Sequence, residues 1–207
     1  MFYRKYIKRL VDISLSLFAL IVLFPLFVVI TIAIKIDSKG PVFFRQKRVG
    51  KDKKDFQIYK FRTMHLDAPK DMPTFMLENP DIYITKLGKF LRKSSLDELP
   101  QILNILKGDM SIIGPRPVIR KEVELYKERE IRGVYNIKPG LTGLAQVNGR
   151  DVIALVEKAR LDGYYADHIS FLLDLKIFIT TLIYVIKLKG VREGAPLPIE
   201  KEKTKTI

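Results

Sequence analysis

The residues best able to do chemistry crowd into Ser94 to Pro117, SSLDELPQILNILKGDMSIIGPRP. Two carboxylates, Asp97 and Glu98, stand just before Pro100, and the apolar-periodic run Ile102, Leu103, Ile105, Leu106 closes at Lys107-Gly108. Proline suits a first helical turn and glycine the residue after a last one, so the spacing predicts a short helix with both carboxylates at its amino end. That end favours negative charge, and it can also hold a phosphate or a carboxylate shared with a metal. Downstream, Gly114-Pro115-Arg116-Pro117 is a stiff turn that presents one guanidinium, whose planar fork matches phosphate oxygens. The bland alternative is a capping box, Ser95-x-x-Glu98, in which Glu98 only satisfies a backbone amide.

The remaining elements must position this stretch. At 207 residues the chain has room for one ordinary domain and an appended membrane element. Its 37 Lys and Arg against 23 Asp and Glu give a net charge of +14, which favours anionic partners such as nucleic acid, phospholipid headgroups or nucleotides. With no cysteine and only His65 and His168, a disulfide framework or a thiolate metal site is excluded and a zinc site has little support.

Residues 1–11 are basic and aromatic (Arg4, Lys5, Lys8 and Arg9 among Tyr3 and Tyr6), a composition suited to a headgroup layer. Ile13 to Ile34 follows, about 22 residues without a charge and long enough to cross a bilayer as a helix. Pro25, at its centre, removes an amide donor and clashes with the carbonyl of Ile21, so a kink or break is expected there. Two topologies stay open on the residues alone. One is a spanning helix with a proline kink; the other is a chain that enters, turns at Phe24-Pro25 and leaves by the same face. Basic residues flank the run on both sides, and the rule that keeps Lys and Arg cytoplasmic leans toward the second.

After Gly40-Pro41, Val42 to Val49 and Phe56 to Met64 read as a β-hairpin joined by the polar stretch 50–55. In FQIYKFRTM, Lys60 and Arg62 either decorate a solvated face or point into an anion site. Asp67 to Pro80 reads as a loop, and Ile84 to Lys93 as a short helix that feeds Arg92 toward the dyad. Val118 to Ile131 is expected to form a surface helix. KPGLTGLAQVNGR, residues 138–150, has three glycines that would let backbone amides approach a ligand. The chain has no P-loop and no G-x-G-x-x-G after a strand. Residues 153–168 look helical, and Phe171 to Leu188 is an amphipathic helix, either interfacial or packed on the core. The tail 191–207 has a disordered composition.

Taken in order, these motifs resemble the small monotopic phosphoglycosyl transferases, bacterial sugar transferases that start lipid-linked glycan assembly. The resemblance runs from about Tyr6 to about Val191 and rests on the proline-broken apolar segment, FQIYKFRTM, SLDELPQ, LKGDMSIIGPRP, KPGLTGLAQVNGR, the Asp162-x-Tyr164-Tyr165 region and Asp174-Leu175-Lys176. No membrane bundle precedes these motifs, so the likeness is to the minimal catalytic form. It implies a mainly helical α+β fold with one β-hairpin and interfacial amphipathic helices. Residues 1–39 would be a basic amino end and a re-entrant helix broken at Pro25, residues 40–190 a cytoplasmic catalytic domain. The implied reaction moves a sugar-1-phosphate from a UDP-sugar to polyprenyl phosphate and releases UMP. Asp97 would be nucleophile and Mg²⁺ ligand, Glu98 its catalytic partner and Asp162 a second functional carboxylate. Lys60, Arg62, Arg92, Arg116 and Arg150 would bind substrate. The place implied is the cytoplasmic face of the bacterial plasma membrane, with phospholipid as a partner and downstream glycosyltransferases as further ones.

Three other classes compete with this one. A membrane-anchored nucleic-acid binder accounts for the charge but has no recognisable nucleic-acid motif and leaves the dyad idle, so nucleic acid is not an expected partner. A non-catalytic scaffold has no use for an intact dyad. An ordinary glycosyltransferase would release UDP rather than UMP.

Overall fold

The computed structural model describes residues 2–69, 77, 79–149 and 153–187. Arg150 and the tail 191–207 lie outside the described residues. A π-helical turn, Tyr3–Ile7, leads into α1, Lys8–Asp37, whose middle is apolar on nearly every side. Of the kink or break expected at Pro25, the break is not there: α1 continues through it as one helix. Proline takes out a single donor, and the helical hydrogen bonds on either side of it suffice to carry the backbone across.

The two ends of α1 dock on the same body. Near its start, Arg9 donates to the carbonyls of Ile105 (2.6 Å) and Leu106 (3.0 Å), and Asp12 Oδ1 accepts the amide of Ile112 at 2.9 Å. Near its end, Ile30 and Ile34 are buried with Phe61 and Leu91. Between these anchors Leu17, Phe18, Ile21, Val22, Phe24 and Val29 are all exposed.

The hairpin forms as expected, with β1 (Phe43–Val49) antiparallel to β2 (Asp55–Phe61) and Gln46 opposite Ile58. A short helix α2 (Pro80–Tyr83) precedes α3 (Lys86–Lys93), which Thr85 caps by accepting the amide of Gly88 at 2.9 Å. Then come α4 (Gln101–Lys107), ended by Gly108 at φ 94°, β3 (Ser111–Ile113) and α5 (Val123–Ile131). The predicted surface helix therefore starts later than Val118, because Val118 and Ile119 are buried. β4 (Gly140–Thr142), α6 (Leu144–Val147), α7 (Leu155–Asp167) and α8 (Phe171–Ile186) complete the chain.

A second, two-stranded sheet was not expected: β3 and β4 pair in parallel. Three-residue strands are too short to show a period in sequence. Their pairing also corrects the reading of the glycines in KPGLTG. A Cβ on Gly140 would stand 2.1 Å from the Gly114 amide, and one on Gly143 2.1 Å from the Gly114 carbonyl oxygen. These two glycines let one backbone cross another; their open space is filled by the GPRP turn.

Candidate active site

The dyad sits in a one-turn 3₁₀ helix, Leu96–Glu98, entered through Ser95 in a left-handed conformation at φ 58°. Leu96 and Leu99 pack into the apolar cluster of Ile30, Ile34, Phe61 and Leu91, so the turn is seated on the exit of α1. The capping box does not form, since Ser95 makes no side-chain cap and the Glu98 carboxylate is engaged elsewhere. Pro100 then caps α4.

Cations converge on Glu98. Lys60 Nζ donates to Oε1 at 2.8 Å, while Arg116 forks across both oxygens, Nη2 to Oε1 at 2.7 Å and Nη1 to Oε2 at 3.2 Å. Burial opposes ionisation of Glu98, but the charges and hydrogen bonds of Arg116 and Lys60 outweigh it and hold its carboxyl well below the usual range. Asp97 is buried beside it, with Lys60 Nζ 3.6 Å from Oδ2, beyond hydrogen-bond reach. Burial pushes the Asp97 carboxyl up; Lys60 pulls it down, and the Glu98 charge adds to the rise. Neighbours in sequence are thus driven apart in chemistry, one carboxylate locked to cations and the other held in reserve.

A buried amide sets the distance between strand and dyad. Asn104 is wholly buried on α4; its Oδ1 accepts the amide of Tyr59 at 2.9 Å and its Nδ2 donates to the carbonyl of Gln57 at 2.7 Å. It completes the edge of β2 as another strand would, which fixes where Lys60, one residue on, meets Glu98. The sequence signal for Asn104 was an amide set between the apolar residues Leu103 and Ile105.

The other expected site residues fall into three groups. Arg92 donates through Nε to Thr63 Oγ1 at 2.8 Å, and its charge acts on Asp97. Arg62 is not at the anion site, and that expectation is corrected. It is buried where β2 has ended, with Nη1 and Nη2 on the carbonyls of Lys39 (2.9 Å) and Ser38 (2.7 Å), closing the exit of α1. Asp162 is buried on α7 against Arg129, whose Nε and Nη2 lie 2.9 and 2.6 Å from Oδ2. Arg129 escaped notice in a charged helix; its signal was its phase, one turn after buried Leu125 on the same face.

What this arrangement can do chemically is bind a phosphorylated anion. Glu98 holds two cations in fixed directions, and both border a second, less engaged carboxylate. Among the described residues no cluster of three or more His, Asp or Glu gathers to hold a metal.

Comparison with known proteins agrees with this chemistry. The family model of the bacterial sugar transferases matches residues 3–188. The sugar transferase EpsL of Bacillus subtilis is 42% identical over 197 residues, covering 94% of this chain and 95% of that protein. The UDP-glucose:undecaprenyl-phosphate glucose-1-phosphate transferase of Klebsiella pneumoniae is 45% identical over 183 residues, but the match spans only 39% of its length. The exopolysaccharide production protein ExoY of Sinorhizobium fredii is 36% identical over 197 residues, 88% of this chain and 87% of its own. With the match running from the turn before α1 to the end of α8, the chain belongs to the bacterial sugar transferase family.

Proposed function

We propose that the protein transfers a sugar-1-phosphate from a UDP-sugar to polyprenyl phosphate and releases UMP. The observation that carries this reading is the asymmetry of the dyad: Glu98 takes up Lys60 and Arg116, leaving Asp97 beside them as the nucleophile. An Asp97 oxygen attacks the sugar-bearing phosphorus; the new O–P bond forms as the P–O bond to UMP breaks. An oxygen of polyprenyl phosphate then attacks that phosphorus and returns Asp97 as a carboxylate. Two half-reactions let one site serve a soluble and a lipid substrate in turn. Lys60, Arg92 and Arg116 meet the donor's phosphates and stabilise charge on the transferred group and on departing UMP.

Mg²⁺ fits this donor set. Because Glu98 is engaged by Lys60 and Arg116, Asp97 is the carboxylate with capacity left, and magnesium is commonly held by one or two carboxylates with substrate phosphates and water. When bound, the ion neutralises phosphate charge that would repel an attacking carboxylate.

The membrane reading rests on α1. Thirty residues of helix extend about 45 Å, enough to cross a hydrocarbon core of about 30 Å. The seating of both its ends on one domain supports a re-entrant element that enters and leaves by a single face, which for a continuous helix requires its axis to bend at Pro25. Its exposed middle is then the lipid-facing part. Residues 1–39 form this element and 40–190 the catalytic domain. On α8, Leu172, Leu175, Ile179 and Leu182 are exposed while Asp174 and Ile177 are buried, a pattern suited to lying in the interface. The net charge of +14 supports a seat on the anionic cytoplasmic face of the plasma membrane, where polyprenyl phosphate would present its reactive group and downstream glycosyltransferases would collect the product.

The test is nucleotide release from purified protein in nanodiscs with undecaprenyl phosphate, Mg²⁺ and a panel of UDP-sugars. UMP is expected from the native protein and none from Asp97→Ala. UDP in its place would mean glycosyl transfer and would remove the nucleophile role from Asp97.

A further inference from the structure

The turn that carries Arg116 is held by an unusual set of contacts. Pro115 and Pro117 have no amide hydrogen, so carbonyls are the main handles by which the backbone here is gripped. Three successive carbonyls are gripped: Pro115 by the amide of Gly140 at 2.9 Å, Arg116 by Nη1 of Arg129 at 2.7 Å, and Pro117 by Nη1 of Arg48 at 3.2 Å. Two of the three donors are guanidinium groups, Arg129 buried and Arg48 half-buried. Arg129 reaches the carbonyl with one nitrogen while its other two nitrogens hold Asp162.

A buried ion pair is a poor device for stability alone. Desolvating both charges offsets most of their attraction, and a well-packed apolar pair of equal volume serves as well or better. What an apolar pair does not do is aim a carbonyl. We propose that Asp162 and Arg129 are positioning residues for Arg116: Asp162 fixes the Arg129 guanidinium, Arg129 fixes the Arg116 carbonyl, and Arg48 supports the next residue of the turn. The side chain of Arg116 then leaves the turn in one direction, onto Glu98 and the donor phosphate. This assigns Asp162 an effect on the reaction without contact with the reacting atoms. It rests on the reading that Arg116 meets a phosphate of the donor.

A cycle of variants read by activity and by melting tests it. Asp162→Asn, Arg116→Ala and the double variant are compared in kcat/KM for UMP release and in Tm. Misplacing a catalytic group by about 1 Å costs on the order of 100-fold, and a loss near that size is expected for Asp162→Asn in the native background. In the Arg116→Ala background the same substitution should cost less than about 3-fold, because the group it positions is gone. The change in Tm should be equal in both backgrounds. Equal activity losses in both backgrounds would overturn the proposal, since Asp162 would then act independently of Arg116; so would full activity in Asp162→Asn. If Asp162→Asn does not fold, Arg129→Lys replaces it, because it keeps the charge beside Asp162 and loses the fork that reaches the carbonyl. If the native protein releases UMP from no donor, the functional reading fails by itself. The cycle is then read in UDP affinity by calorimetry, with the same non-additivity expected and additivity overturning it.

Discussion

Asp97 and Glu98 differ by one methylene and one position, yet their surroundings give them opposite characters. Asp97 has its carboxyl raised by burial and by Glu98. A group raised on folding contributes stability below its unfolded pKa, about 4, and that contribution is lost as pH rises through the folded value. At neutral pH the Asp97 charge therefore burdens the fold. Asp97→Asn should lose at least about 1000-fold in turnover while its Tm at pH 7.5 rises above that of the native protein. A lower Tm would mean that the charge supports the fold. If Asp97 is the nucleophile proposed above it must be ionised, and the acid limb of kcat/KM should lie above the ordinary Asp range. Glu98→Gln removes a like charge and releases Lys60 and Arg116 toward Asp97, so the limb of its residual activity should move to lower pH. Lys60 and Arg116 were legible in sequence because stiff local structure, a strand and a proline-flanked turn, sets their directions. Arg62 looked equivalent to Lys60 by strand alternation. The strand ends at Phe61, so the alternation no longer applied.

At the level of elements, the site is the junction of β2, the dyad turn, α4 and the GPRP turn. The hairpin and the end of α4 at Gly108 were readable, because each depends on residues close in sequence. The parallel pairing of β3 with β4 was not, since neither strand carries a pattern and their partnership spans 29 positions between Ser111 and Gly140. Asn104 shows how one residue joins elements that are distant in the chain. Asn104→Ala removes three hydrogen bonds, the third a long one to Asp109 Oδ2, and leaves the Gln57 carbonyl and Tyr59 amide without those partners, a loss of about 2–4 kcal/mol by denaturant unfolding. Residual activity should fall further than Asn104→Asp, which keeps the acceptor for Tyr59. Equal stability of Asn104→Ala and native protein would show that β2 and α4 are held in register by packing alone.

For the whole molecule, the helix assigned to the membrane is also part of the catalytic body. Its exit shares a core with Leu96 and Leu99 beside the dyad, and its entrance holds the far end of α4 through Arg9. If re-entrance depends on distortion at Pro25, Pro25→Ala restores a donor and should send a fraction of molecules across the bilayer. Accessibility of tags at both termini in spheroplasts measures that fraction, and tags that both stay cytoplasmic would assign the topology to docking of the helix ends.

That docking has a consequence for biosynthesis. Tyr3 and Lys8 bind Asp174, 171 and 166 residues later, and Arg9 binds carbonyls 96 and 97 residues on. The apolar segment leaves the ribosome before any of these partners exists. At about 5–20 residues per second, translation takes roughly 8–35 s to go from the first anchor to Asp174. The exit partners Phe61 and Leu91 and the Arg9 partners Ile105 and Leu106 are made within that interval, so the Asp174 latch is the last of these contacts to form. A chain stalled before α8 would therefore carry the membrane segment with its entrance still unlatched from Asp174.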